Sequence, residues 1–321
     1  YMKKHTILDI AKLAKVSKST ISRVINNEPG VKEETKLKIL KIIEEYDYTP
    51  SKSARELRGI KINAYGVLMT RLESNSENQA VRGIIKKLYE NNYDYLILEN
   101  RFSIEKTKHY IEDLLKRGID GLIIFALPNE NYNFLKKIKK SVVMIGQEVE
   151  GFNSIVYDDY GAVTKILDYL WKNGKRKIAY IGIDRNDPTT GEKRYRAYEE
   201  FSKDKKMKNI SYFGNFEYKS GFSLGEEAMK NDIDSIVCGT DNLALGVKEY
   251  LRQKNNKKVI VTGIGNDKLV RFLDPEHISI NFSYEESGKK AVEILVDQKS
   301  DKTKNYTYNS ELILENVLDN L

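Results

Sequence analysis

TILDIAKLAKVSKSTISRVINNEPGV, residues 6–31, carries two short helical patterns with almost nothing between them. In the first, Ile7, Ile10, Ala11 and Ala14 recur on one face. In the second, Ile21, Val24 and Ile25 do the same, and Ser17 is placed to cap the helix start. Only Lys15 and Val16 separate the two, so the helices must cross steeply. Ala11 is small enough to let them approach, and Val16 is expected to plug the turn. A third helix is expected over Glu33–Glu45, with Leu37, Leu40 and Ile43 facing inward. Helix two then presents Lys18, Ser19, Thr20, Ser22 and Arg23 on its polar side. That surface has the width to enter a DNA major groove, and the helix N–H groups suit a backbone phosphate. A Ser/Lys-rich helix on any small domain is the plainer alternative.

Charge placement favours the groove. Residues 1–60 hold 13 Lys and Arg against 8 Asp and Glu, whereas the other 261 residues hold 41 against 39. A basic head on a nearly neutral body suggests that the head alone meets a polyanion. Past Tyr48, the segment TPSKSARELRGIK offers one or two helical turns, with Ala54 and Leu57 on an apolar face that nothing local buries. It is either a plain linker or a hinge that folds on DNA with Leu57 as a minor-groove wedge.

From Ala64 onward, short apolar runs alternate with amphipathic segments: AYGVLMT, then AVRGIIKKLYENN, YDYLILE and so on to VIVTGIG. Repeated β–α alternation with strands buried on both faces argues for parallel sheets covered by helices. There are enough units for two sheets. Ligands of such sheets meet the loops beyond the strand carboxyl ends. Those loops are TRLESNSENQ, ALPNEN, GQEVEGF, DDYG, RNDPTTGEKRYR, GTDN and GNDK, an inventory suited to hydroxyls and one anionic group.

Catalytic signatures are missing. The sequence has no G-x-G-x-x-G, G-x-x-x-x-G-K-[ST] or G-x-S-x-G motif, and His5, His109 and His277 are too scattered for a shared metal site. Asp158 and Asp159 point differently as neighbours and are read as ligand-facing or structural. The single cysteine, Cys238, reads as a buried strand position. No enzyme activity, metal or cofactor is expected. The opening YMKKHTILDI has no apolar run of signal-peptide length, and a cytoplasmic location is expected.

The head resembles the LacI family of bacterial repressors. Its pattern T-x-x-D-[IV]-A-x-x-[AS]-G-V-S-x-x-T-[VI]-S-R-V-[IL]-N stands here as TILDIAKLAKVSKSTISRVIN. Two departures are Lys15, where the family usually has glycine, and Lys32, where a serine often caps helix three. The resemblance implies DNA contacts from Thr6, Ser17, Lys18, Ser19, Thr20, Ser22, Arg23 and Asn26, and from the hinge residues Ala54 and Leu57. The body is similar to one branch of that family, whose effector is trehalose 6-phosphate, through TRLESNSEN, KRGIDGLIIF, VYDDYGA, DPTTGEKRYRAY and TDNLALGVKEYL. This implies Arg71 and Glu77 beside the phosphate, and Arg194 and Asp241 on the sugar. Gln147 stands where that branch carries arginine, so a positive contact is missing or moved to Lys193 or another base.

The organisation implied is a helix-turn-helix domain over residues 1–50, a hinge over 51–60 and a two-lobed, periplasmic-binding-protein-like core over 61–321. The core is expected to be α/β, with two doubly wound parallel sheets. Its first lobe is expected to take about 61–158 plus 284–300, and its second about 159–281 plus 303–315. The expected function is a repressor of sugar uptake and catabolism genes, controlled by a sugar phosphate. A homodimer would read pseudo-palindromic operator DNA with two heads. The C-terminal NSELILENVLDNL has no sustained heptads to build a tetramer. Two alternatives stay open: the same regulator class with another sugar or sugar phosphate, and a sugar-binding protein or enzyme on the same core.

Overall fold

The computed structural model describes residues 6–25, 28–46, 63–297 and 303–314. Asn26, Ala54, Leu57 and the expected hinge over 51–60 lie outside the described residues. The chain divides into a smaller unit of residues 1–63 with 116–118 and a larger unit of residues 64–115 with 119–321.

The head holds α1 (Ile7–Ala14), α2 (Lys18–Ile25) and α3 (Glu33–Glu45). Its core is Ile10, Ala11, Ala14, Ile21, Val24 and Ile39, with Val16 packed against it as the plug of the turn. Thr6 and Asp9 form a reciprocal capping box at the start of α1: the Asp9 N–H donates to the Thr6 hydroxyl (3.3 Å), and the Thr6 N–H donates to Asp9 (2.8 Å). Lys15 ends α1 with φ 57° and ψ 44°, and its N–H donates to the Ala11 and Lys12 carbonyls. A lysine in this left-handed position costs about 1 kcal/mol relative to glycine, which is why glycine suits the site. Lys32 gives α3 no side-chain cap, and Glu33 and Glu34 occupy its first turn.

Helix α3 corrects one expectation. Leu37 and Leu40 are 61% and 42% exposed, and the buried residue is Ile39, with Ile42, Ile43 and Tyr46 packed beside it. At 100° per residue, Ile39, Ile42, Ile43 and Tyr46 form one stripe, and Leu37 falls well off it. Of the three residues expected inside, Ile43 packs against the core and the two leucines do not.

In the larger unit, β1 (Ala64–Met69), β2 (Asp94–Glu99), β3 (Gly121–Phe125), β4 (Ser141–Ile145) and β5 (Asn153–Tyr157) make one parallel sheet. The late strand β11 (Asn305–Tyr308) adds to its edge, giving the order β11-β5-β4-β3-β1-β2. Period-two alternation explains the burial of both faces. Val67, Met69, Ile123, Val143 and Ile145 face α4 (Asn75–Glu90) and α11 (Tyr284–Val296), whereas Leu68, Leu122, Ile124 and Met144 face α5 (Ile104–Lys116).

The second sheet, in the order β7-β6-β8-β9, is parallel throughout: β6 (Ile178–Ile183), β7 (Ser211–Gly214), β8 (Ser235–Cys238) and β9 (Ile260–Thr262). Around it lie α6 (Asp159–Lys172), α7 (Glu192–Asp204), α8 (Tyr218–Ala228), α9 (Asp241–Gln253) and α10 (Lys268–Leu273). A bridge from Thr262 to Ile278 leads on to β10 (Ser279–Asn281), which pairs antiparallel with β12 (Glu311–Ile313). Assigning all of 303–315 to the second lobe therefore needs correction: β11 belongs to the first sheet and only β12 goes with the second. A four-residue strand with alternating Tyr and polar residues pairs well at an exposed edge, and β5 offers that edge.

Each lobe is tightened by a reciprocal glycine crossing. A Cβ on Gly83 would lie 1.9 Å from the Glu285 carbonyl, and one on Gly288 would lie 1.9 Å from that of Ala80, so α4 and α11 touch backbone to backbone. Gly221 and Gly246 do the same for α8 and α9, meeting the Leu243 and Tyr218 carbonyls at 2.2 and 1.9 Å. Where the chain passes between lobes, Tyr157 contacts Phe282, Tyr284 and Tyr308, with ring centroids 5.5, 4.8 and 6.4 Å away. Ser310 donates to Asp158 (3.0 Å), binding two of these passages together.

Candidate functional site

On the head, the polar side of α2 is built as expected. The Ser17 hydroxyl accepts from the Thr20 N–H (3.1 Å) and caps the helix, with the Ser19 and Thr20 hydroxyls 2.7 and 2.8 Å from it. Lys18, Ser19 and Arg23 are exposed, Thr20 and Ser22 half-buried, and Ile21 and Val24 buried beneath them. Thr6 is exposed but engaged in its capping box.

In the core, the carboxyl ends of both sheets border one cleft, a concave site of the kind in which small ligands bind. All five effector-site candidates, Arg71, Glu77, Gln147, Arg194 and Asp241, line it. Lys193 is exposed and does not. These residues are in very different states.

Arg194, on α7, is buried with Asp159. Its Nε donates to Asp159 (2.7 Å), a second nitrogen lies 2.6 Å from the same oxygen, and Nη1 donates to the Gly239 carbonyl. Burial opposes its charge, but Asp159 and nearby tyrosines hold the guanidinium above its usual pKa. Asp241 caps nothing freely either. One oxygen accepts from Ser279 (2.8 Å) and from His277 Nε2 (3.1 Å), and the other accepts from the Asp267 N–H (2.7 Å). His277 is in turn approached at Nδ1 by Lys248 (2.8 Å), which also pairs with Asp274. Because an ammonium can only donate, Nδ1 accepts and Nε2–H donates to Asp241.

Glu77 falls in the first turn of α4, since this helix begins at Asn75 behind the Ser74 cap, earlier than the loop reading of TRLESNSENQ placed it. Its carboxylate accepts from the Thr70 N–H (2.7 Å) and the Thr70 hydroxyl, pinning the loop that carries Arg71. Burial pushes its pKa up. Arg71 is the exception. Its Nε is buried without a hydrogen-bond partner, and its guanidinium lies 4.0 Å from the ring centre of Phe216 and 5.5 Å from that of Phe102. Burial lowers its pKa, against the pull of Glu77, Glu73 and Asp187. Gln147 follows β4 at the rim, half-buried.

The sequence reading does not include Phe102, Phe216, Asp187 or Tyr284, which also line the cleft. Phe102 and Phe216 come from the loops after β2 and β7, the two strand ends left out of the loop inventory. An aromatic residue alone in a polar loop at a strand's carboxyl end was the signal available. Among the described residues, no group of three or more His, Cys, Asp or Glu is placed to hold a metal, and no helix is long and apolar enough to cross a membrane. Cys238 is buried and free, its thiol pKa pushed up by burial.

Comparison with known proteins matches the head and the core separately. Residues 6–51 match the family model of bacterial regulatory proteins, lacI family, and residues 167–312 match that of a periplasmic binding protein-like domain. The HTH-type transcriptional regulator TreR of Salmonella typhimurium is 34% identical over 293 residues, covering 91% of this chain and 93% of that protein. The solved trehalose repressor from Escherichia coli superposes with a TM-score of 0.76 at 29% identity, over 79% of this chain and 100% of that one. The lac repressor dimer bound to operator and the anti-inducer ONPF shares the fold over 98% of both chains, with a TM-score of 0.76 at 20% identity. A helix-turn-helix head on a two-lobed α/β core, with this relationship to TreR along nearly its whole length, makes the chain a member of the LacI family of bacterial transcription regulators, which are DNA-binding proteins and not enzymes.

Proposed function

We propose that this regulator represses genes of sugar uptake and catabolism and that its effector is trehalose 6-phosphate. The observation that carries the effector is the gathering of Arg71, Glu77, Gln147, Arg194 and Asp241 around one cleft, with the Arg71 Nε buried there and unpartnered. A sugar needs fixed polar groups, and a phosphate needs a cation whose hydrogen bonds are free to be made. The names of the related TreR and trehalose repressor support trehalose as the sugar.

On the head, Lys18, Ser19, Thr20, Ser22 and Arg23 would enter the major groove, with Thr6 and Ser17 at the backbone. Asn26, Ala54 and Leu57 are assigned DNA contacts by family resemblance. A homodimer would bring two heads to a pseudo-palindromic operator in the cytoplasm, and effector binding would change the relation of the lobes and weaken DNA binding.

Two titrations test this. Operator binding should be specific, should fall steeply with salt and should be relieved by trehalose 6-phosphate. Calorimetry should give tighter binding of trehalose 6-phosphate than of trehalose. Equal affinity for the two sugars would remove the phosphate from the reading, and affinity only for nonspecific DNA would remove the repressor.

A further inference from the structure

We infer that Phe216, seconded by Phe102, is a specificity-determining residue of the cleft: it positions the Arg71 guanidinium for an anionic group without consuming any of its hydrogen-bond donors. This rests on the reading of the cleft as a sugar-phosphate site.

The chemical point is the choice of partner. A carboxylate that held Arg71 would occupy the same N–H groups that a phosphate needs. Three carboxylates lie close enough to favour the Arg71 charge, and each is engaged elsewhere. Glu77 accepts from Thr70, Glu73 pairs with Arg101 at 3.4 Å, and Asp187 accepts from the Thr189 N–H and hydroxyl, both at 2.9 Å. An aromatic face attracts the cation through its quadrupole and leaves the donors at the edge of the fork. Phe216, 4.0 Å from the guanidinium carbon, supplies that face.

The second aromatic residue is placed at a conformational cost. Arg101 and Phe102 both have positive φ, 51° and 58°, a conformation that non-glycine residues rarely adopt twice in succession. Surrounding bonds enforce it: the Arg101 N–H donates to the Thr70 carbonyl (3.0 Å), the Phe102 N–H donates to Asn100 Oδ1 (3.0 Å), and Arg101 Nε donates to Glu99 (2.8 Å). The result sets the Phe102 ring 6.3 Å from that of Phe216, nearly parallel at 14°. Arg71 and Phe102 belong to the first lobe and Phe216 to the second, so the aromatic support spans the cleft. The anion-reading geometry therefore exists only while the lobes hold this relation, which ties phosphate recognition to closure.

The test compares the intact protein with Phe216→Leu, Phe216→Tyr and Phe102→Leu, titrated with trehalose 6-phosphate and with trehalose. Phe216→Leu should weaken the phosphorylated sugar about 3- to 30-fold and trehalose much less, because the loss is that of a cation–π contact. Phe216→Tyr should restore near-native discrimination, since the ring is kept, and Phe102→Leu should give a smaller loss of the same kind. A second readout needs no ligand: the Arg71 Nε–H resonance should be immobilised in the wild-type protein and mobile in Phe216→Leu. Equal losses for both sugars in Phe216→Leu, or equal Arg71 mobility in the two proteins, overturns the inference. If wild type does not prefer the phosphorylated sugar but Arg71 is still immobilised by Phe216, positioning stands and the sugar-phosphate reading falls.

Discussion

The two walls of the cleft each carry an arginine, and the two are used in opposite ways. On the second-lobe wall, Arg194 is buried with Asp159 and the Gly239 carbonyl, and Asp241 beside it is bonded by Ser279, His277 and the Asp267 N–H. That wall is preorganised: its polar groups are already paired and present a fixed shape to neutral hydroxyls. On the first-lobe wall, Arg71 rests on aromatic rings with its Nε unpartnered. This wall keeps an unfilled demand for an anion. A binding site that must tell a phosphorylated sugar from a plain one benefits from both, because shape alone does not register charge.

The comparison can be broken most severely from the second-lobe side. Arg194→Ala would leave Asp159 buried without its cation, which costs roughly 3–5 kcal/mol of stability and should abolish binding of both sugars. Urea denaturation followed by calorimetry reads the two effects; a variant of native stability would show that Arg194 is no anchor. Arg71→Ala should act differently. It should weaken trehalose 6-phosphate about 10- to 150-fold, the loss of a charge-assisted bond of roughly 1.5–3 kcal/mol, with little change in trehalose binding or in stability. Arg71→Lys should recover part, because a point charge does not reproduce the fork. Equal losses for both sugars would make Arg71 a second anchor and erase the contrast between the walls. Gln147→Arg sharpens the contrast by adding a cation at the first-lobe rim. It should raise preference for the phosphorylated sugar by about tenfold, and unchanged discrimination in the titration would place residue 147 out of reach of the phosphate.

How much of this was legible follows the same division. Period and motif gave the three head helices and the parallel sheets, because strands buried on both faces leave strong patterns, whereas the five cleft residues came from the family resemblance. They did not reveal what each residue is bonded to. Asp241 looks like a sugar-facing acid in TDNLALG, yet its partners His277 and Ser279 are 36 and 38 residues further on and carry no local signal. Glu77 looks like a phosphate neighbour, but the Thr70 contacts that hold it depend on α4 starting at Asn75. Leu37 and Leu40 misled for a simpler reason: with Ile39, Ile42 and Ile43 in the same helix, two apolar stripes compete, and only the packing against α1 and α2 selects one. The strand β11 escaped notice because NYTY is short and half-polar, an edge strand that depends on β5 for its existence.

That edge strand also orders the birth of the protein in time. The first sheet is incomplete until β11 pairs with β5 and α11 packs against α4, and the Lys304 N–H reaches Asn153 across 151 residues of chain. At roughly 5–20 residues per second, a ribosome needs about 8–30 s to deliver that stretch after β5 has been made. During that interval the second lobe, whose four-stranded sheet lies within residues 178–262, has its central strands in hand before the first lobe has its last. The first lobe's sheet is thus begun first and completed only after the second lobe's four-stranded sheet, and for those seconds β5 offers an open edge to whatever chain lies nearest.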